Sequence, residues 1–231
     1  MQGVPFVIGI VAFFLASTYL TFIFVLRGVR IRRERAAELA LAARLTYVDG
    51  AATLRSAYEA AGALAAWEVL MKLPAFIRGF LEATAPWRLE GKREGIRAEV
   101  FEETRKSGKQ SKTVIVARAW YAAPLPFKLR AGREGTAARL GKALFGLQDV
   151  QVGDSAFDEA VRVVSDDGNA ARELFFRPET RAALLALLAR CPEAVMDSAR
   201  AEQVRTGRMP DAAELEEMLS LLVAVAKSVG R

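Results

Sequence analysis

The chain has 231 residues, 52% of them hydrophobic, a formal net charge of +6 and a mean hydropathy of +0.16. It contains one cysteine and no histidine, which excludes an intramolecular disulfide, Ser-His-Asp triads and His-ligated metal sites. The positive excess does not mark a nucleic-acid module, because it is concentrated in residues 27–35 and the rest of the chain is nearly balanced.

Residues 5–26 form a run without Asp, Glu, Lys or Arg. As a helix it spans about 33 Å at ~1.5 Å per residue, enough for a hydrocarbon core of roughly 30 Å. A single segment in lipid satisfies its backbone only as a helix. The run predicts an uncleaved anchor rather than a signal peptide. Residues 1–4 lack Lys and Arg, the run exceeds a signal core, and no small-x-small site precedes a polar start. Arg27, Arg30, Arg32, Arg33 and Arg35 follow directly. The positive-inside rule places them in the cytoplasm at the level of anionic headgroups, with the N-terminus outside. The expectation is therefore a single-pass protein of the cell (inner) membrane, with the lipid bilayer as a partner.

Residues 31–46 are strong helix formers and extend the anchor helix as far as the Asp49-Gly50 turn. Helix is also expected over residues 53–84, interrupted at Pro74. Within it, residues 66–81 confine Glu68, Lys72 and Arg78 to a narrow arc. The remainder is apolar, with Trp67, Leu70, Phe76, Ile77 and Phe80 as a possible contact face. Either it packs into the domain core or it meets a membrane surface, a protein partner or a second copy.

Strands begin at Trp87. Residues 87–90 and 95–101 fit short strands, the second by the alternation of Ile96, Ala98 and Val100 with Arg97 and Glu99. After a polar turn, residues 113–121 give the strongest strand of the chain, so the two pair as an antiparallel hairpin. Short strands are expected at 127–130, 149–152 and 160–165. Helices follow at 169–176 and from Pro178, where a first-turn proline costs no hydrogen bond. Residues 194–208 suggest a hairpin. Residues 211–229 form a final helix with Leu215, Met218, Leu219, Leu222, Val225, Ala226 and Val229 on one stripe.

No motif carries recognisable chemistry. Gly135 to Ala143 approaches a phosphate-binding loop, but has one residue too many between its glycines and ends in Ala where a hydroxyl is needed. Asp154, Asp158, Asp166 and Asp167 lack calcium-loop spacing and sit where Asp caps helices and turns. Arg105, Lys106, Lys109 and Lys112 make a basic hairpin tip without interleaved aromatics, so single-strand binding is not indicated. No catalytic residue, metal site or cofactor is expected, nor any nucleic-acid partner.

The pattern Gly153-Asp154-Ser155-Ala156-Phe157-Asp158 is followed by residues 161–167 and by Arg177-Pro178-Glu179-Thr180-Arg181. It resembles uncharacterised bacterial membrane-anchored proteins that carry a domain of unknown function. The resemblance implies an anchored α+β domain of bacterial origin and no activity.

The expected fold class is α+β: a single N-terminal transmembrane helix, then a cytoplasmic domain of antiparallel strands packed with helices. The expected organisation is an anchor at 1–30, a juxtamembrane and amphipathic helical region at 31–85, and an α+β domain at 86–231. Two functions fit. One is a membrane-tethered, non-enzymatic interaction or scaffold module; the other is a membrane-proximal enzyme or ligand-binding domain.

Overall fold

A computed structural model describes residues 4–49, 86–107, 110–133 and 146–230, with positions 52, 55, 59, 68 and 72 between the first two segments. The chain divides into two compact units, residues 1–38 with 48–87 and residues 39–47 with 88–231. In the first unit the described structure is mainly helix α1 (Val4–Ala42) as far as residue 38. Arg30 and Glu34 pair along it at 2.8 Å, one turn apart.

Among the described residues, no helix is long and apolar enough to cross a membrane. This corrects the anchor expected over residues 5–26, the transmembrane fold class, and the inner-membrane, single-pass location drawn from it. The physical reason lies in α1 itself. From Ile23 its side chains are described continuously, and seven of the sixteen up to Glu38 are charged. Each would cost about 2.5–3.5 kcal/mol at a bilayer centre.

The helix also stops earlier than its composition suggests. Arg44 takes φ 53°, in the left-handed region. The Leu45 N–H reaches back to the Ala40 carbonyl at 2.8 Å, and the Arg44 N–H to Leu41 at 3.2 Å. This is a Schellman ending with Arg where Gly is usual. It turns the chain into β1 (Thr46–Val48).

The second unit holds most of a nine-stranded sheet in the order β1-β2-β3-β4-β9-β8-β5-β7-β6, antiparallel from β2 onward. β2 (Arg88–Arg93) and β3 (Ile96–Ser107) are joined at Glu94-Gly95, both with positive φ, as a two-residue type I′ turn requires. β3 continues into β4 (Gln110–Trp120), the hairpin expected from alternation. β5 (Leu129–Gly132), β6 (Gln148–Asp149) and β7 (Arg162–Ser165) form the far side. β8 (Val195–Asp197) and β9 (Arg200–Thr206) join the two halves.

Strand alternation gives the sheet two different faces. On one, Ala98, Val100, Ile115, Ala117, Ala119 and Ala201 are each at most 4% exposed. The four alanines make a flat floor for the last helix, α5 (Ala212–Val229), which contacts β3, β4 and β9. All seven residues of its predicted stripe are buried. Asp211 and Glu214 close a capping box at its start. α2 (Ser155–Ala160), α3 (Gly168–Phe176) and α4 (Pro178–Arg190) complete this layer, with α4 packed on α5.

Candidate functional site

The opposite face carries Arg88, Glu99, Phe101, Arg105, Val114, Val116, Arg118, Glu202 and Val204 by register. Phe101, Val114, Val116 and Val204 form a small apolar cluster there. Two guanidiniums lie over the Phe101 ring, Arg118 at 4.7 Å and Arg88 at 5.2 Å from its centroid. Arg118 is the hub. Its Nε donates to Glu202 Oε2 at 2.7 Å and its Nη1 to Glu99 Oε1 at 3.2 Å. Glu99 is only 4% exposed, and Arg88 Nη1 also lies 3.9 Å from its Oε2, so two guanidiniums offset its burial. Arg105 Nη2 donates to Glu103 at 3.1 Å and to Glu202 Oε1 at 3.3 Å. Burial alone would raise the Glu202 carboxyl, but hydrogen bonds from Arg118 and Arg105 outweigh it and hold it below the usual range. Burial likewise opposes the Arg118 charge, and Glu202 and Glu99 overcome it.

Beyond this network the β3–β4 hairpin outruns its neighbours. β2 ends opposite Phe101 and β9 ends opposite Val114. Among the described residues, Thr104↔Thr113, Arg105↔Lys112, Lys106↔Ser111 and Ser107↔Gln110 therefore pair only with each other. This two-stranded arm, residues 104–113, holds one arginine, three lysines and no acid. Thr104, Ser111, Lys112 and Thr113 are exposed. Arg105 fastens the arm to the network at its base.

The other residues singled out by sequence fall elsewhere. Arg27, Arg30, Arg32, Arg33 and Arg35 are spread around α1 rather than along one face, since each step turns about 100°. Trp67, Leu70, Phe76, Ile77 and Phe80 lie outside the described residues. The Gly153-Asp154-x-x-Phe157-Asp158 pattern is a capping unit. Gly153 has φ 93°, which the turn requires. Asp154 accepts from the Phe157 N–H at 3.1 Å. Asp158 accepts from Val152 and Gly153, both at 2.9 Å. Phe157, 1% exposed, packs on Phe175 with ring centroids 5.3 Å apart. Asp167 caps α3, and Asp166 accepts from the Lys128 N–H at 2.8 Å. Each of these four carboxylates thus has a backbone donor, and no acid or thiol cluster fit for a metal occurs among the described residues. The ion-pair hub could not be found from sequence, because Arg118 and Glu202 are 84 positions apart.

No protein-family model matches this chain, and no curated protein matches it. Among solved structures it is similar to the mycobacterial trehalose monomycolate transport factor A, TtfA. The identity is 12%, the match covers 87% of this chain and 94% of that one, and the TM-score is 0.45. A likeness at that level carries no argument about site or activity.

Proposed function

We propose that this chain is a non-enzymatic interaction module that docks an acidic protein partner on its β3–β4 arm. The observation that supports this reading is the arm itself. Residues 104–107 and 110–113 project past both flanking strands, with two edges unpaired by any described strand, and the sequence 104–113 holds four basic residues and no acid. An isolated two-strand ribbon is marginal in water and exposes backbone donors and acceptors. The positive charge keeps two arms from pairing edge to edge and steers an acidic surface toward them. The ion-pair network at its base fixes the direction in which the arm leaves the sheet.

A photocrosslinking residue placed at Lys112 in the full chain tests the reading inside cells. The expected result is a defined protein adduct, lost in the K106E/K109E/K112E variant while its melting temperature is unchanged. An absent adduct, or one indifferent to charge reversal, would overturn the proposal. A nuclease-sensitive adduct would replace the protein partner by nucleic acid.

A further inference from the structure

β8 ends at Val195 opposite Glu202, whereas β9 runs on to Thr206. Along residues 203–206 β9 is bonded to β4 on one side and has no strand on the other among the described residues. In an antiparallel strand every second residue turns its N–H and C=O to that second side. There a cleft of about 360 Å³ separates β9 from the Arg190–Glu193 turn after α4. Met218 and Leu221 of α5 supply its apolar lining. The Arg190–Glu217 pair, at 2.6 Å, and the Arg205–Glu214 pair, at 3.0 Å, belong to its walls. Gln203 also lines it, is 5% exposed, and its Oε1 has no hydrogen-bond partner among the described residues. A buried carbonyl without a donor is destabilising, and a ligand's donor would relieve that.

We propose that this cleft binds an extended segment of a partner protein, which pairs with β9 along residues 203–206 and presents a lysine to Gln203. Three features select that occupant. The strand edge asks for a peptide backbone in register. Alternate side chains of an added strand reach Met218 and Leu221 on one side only. Gln203 Oε1 asks for a donor, and a lysine ammonium supplies one beside the carboxylates of Glu193, Glu214 and Glu217 on the same lining. The site is separate from the arm and does not depend on it.

The native reporter is Cys191, the single cysteine of the chain, which is partly exposed at the cleft wall. Its reaction with a thiol reagent is followed in the full-length protein against a panel of short alternating Thr/Val peptides that differ at the central residue. The expected result is protection of Cys191 of about tenfold by the lysine peptide, absent when the peptide backbone is N-methylated on its pairing edge. The Q203M variant should lose that selectivity without a lower melting temperature, because it removes an unpartnered buried carbonyl. K106E/K109E/K112E should leave protection intact, which keeps the result independent of the arm. Absence of protection by any peptide, or equal protection by the N-methylated form, overturns the proposal. Protection that rises with protein concentration alone assigns the cleft to a second copy and overturns it too.

Discussion

The two faces of the β3-β4-β9 sheet come from alternate residues of the same strands and are held by opposite chemistry. One is a floor of Ala98, Ala117, Ala119 and Ala201 that admits α5 closely and buries its Leu and Val stripe. Cohesion there scales with apolar area, at about 25 cal/mol per Å². The other is a lattice of Arg88, Arg105 and Arg118 with Glu99 and Glu202, laid over Phe101. Its stability depends on charge being matched atom by atom. An apolar layer tolerates small shifts, whereas a half-buried ion network fixes orientation and penalises the loss of any member. That contrast places the directional element, the β3–β4 arm, on the ionic side.

The strongest test of the contrast is removal of the hub. Arg118→Met should cost about 3–5 kcal/mol in urea unfolding, because it leaves Glu99 buried without its nearest cation. Replacing Glu99 and Glu202 by Gln as well should recover much of the loss. If the single variant is neutral, the network is not a cohesive unit. On the apolar side Leu222→Ala should cost about 2–5 kcal/mol, and no change elsewhere should restore it. A partial recovery by a charged-face variant would mean that the two faces are coupled. Ala117→Leu, which raises the floor beneath α5, should cost about 1–3 kcal/mol through overpacking. A cost below that of a surface substitution would show that the floor is not tight.

The smallest effect lies at the seam, where Arg205 and Arg208 reach Glu214 of α5 at 3.0 and 3.2 Å. The hydrogen bond from Arg205, then that from the Asp211 backbone, lowers the Glu214 carboxyl from 4.5 to about 2. A depressed carboxyl stabilises the fold above its unfolded value, and the contribution is lost as pH falls through the folded one. Stability should therefore decline between about pH 4.5 and pH 2, and Glu214→Gln should flatten that part of the curve. Equal acid slopes in the two proteins would remove the seam from the account.

The sequence made the local pieces legible and left their partners hidden. The β3–β4 hairpin could be read from Ile96, Ala98 and Val100 alternating with charges, and α5 from its apolar stripe. The role of Asp167 followed from its position before a helix, whereas Asp154 was read only as a turn residue after Gly153 and in fact caps α2. The end of α1 was missed because Arg44, not glycine, takes the left-handed position. Helix α2 was missed because six residues are too few to show a period. Reading the uncharged run 5–26 as an anchor took Arg27 to Arg35 as its cytoplasmic flank, whereas they belong to one continuous helix in whose described residues no span is found. The ion network and the Gln203 cleft depend on which strands lie side by side and where β8 stops, which no local pattern encodes.

Strand order also sets a timetable. β9 lies between β4 and β8, yet its first residue, Arg200, comes 80 positions after Trp120. At about 5–20 residues per second, roughly 4–16 s of synthesis separate β4 from the strand that will cover it. Throughout that interval Val114, Ile115 and Val116 present an uncapped, β-prone edge on the nascent chain. The lysines and arginine just upstream act as gatekeepers during this wait, so the charges of the arm protect the chain's own assembly from premature pairing.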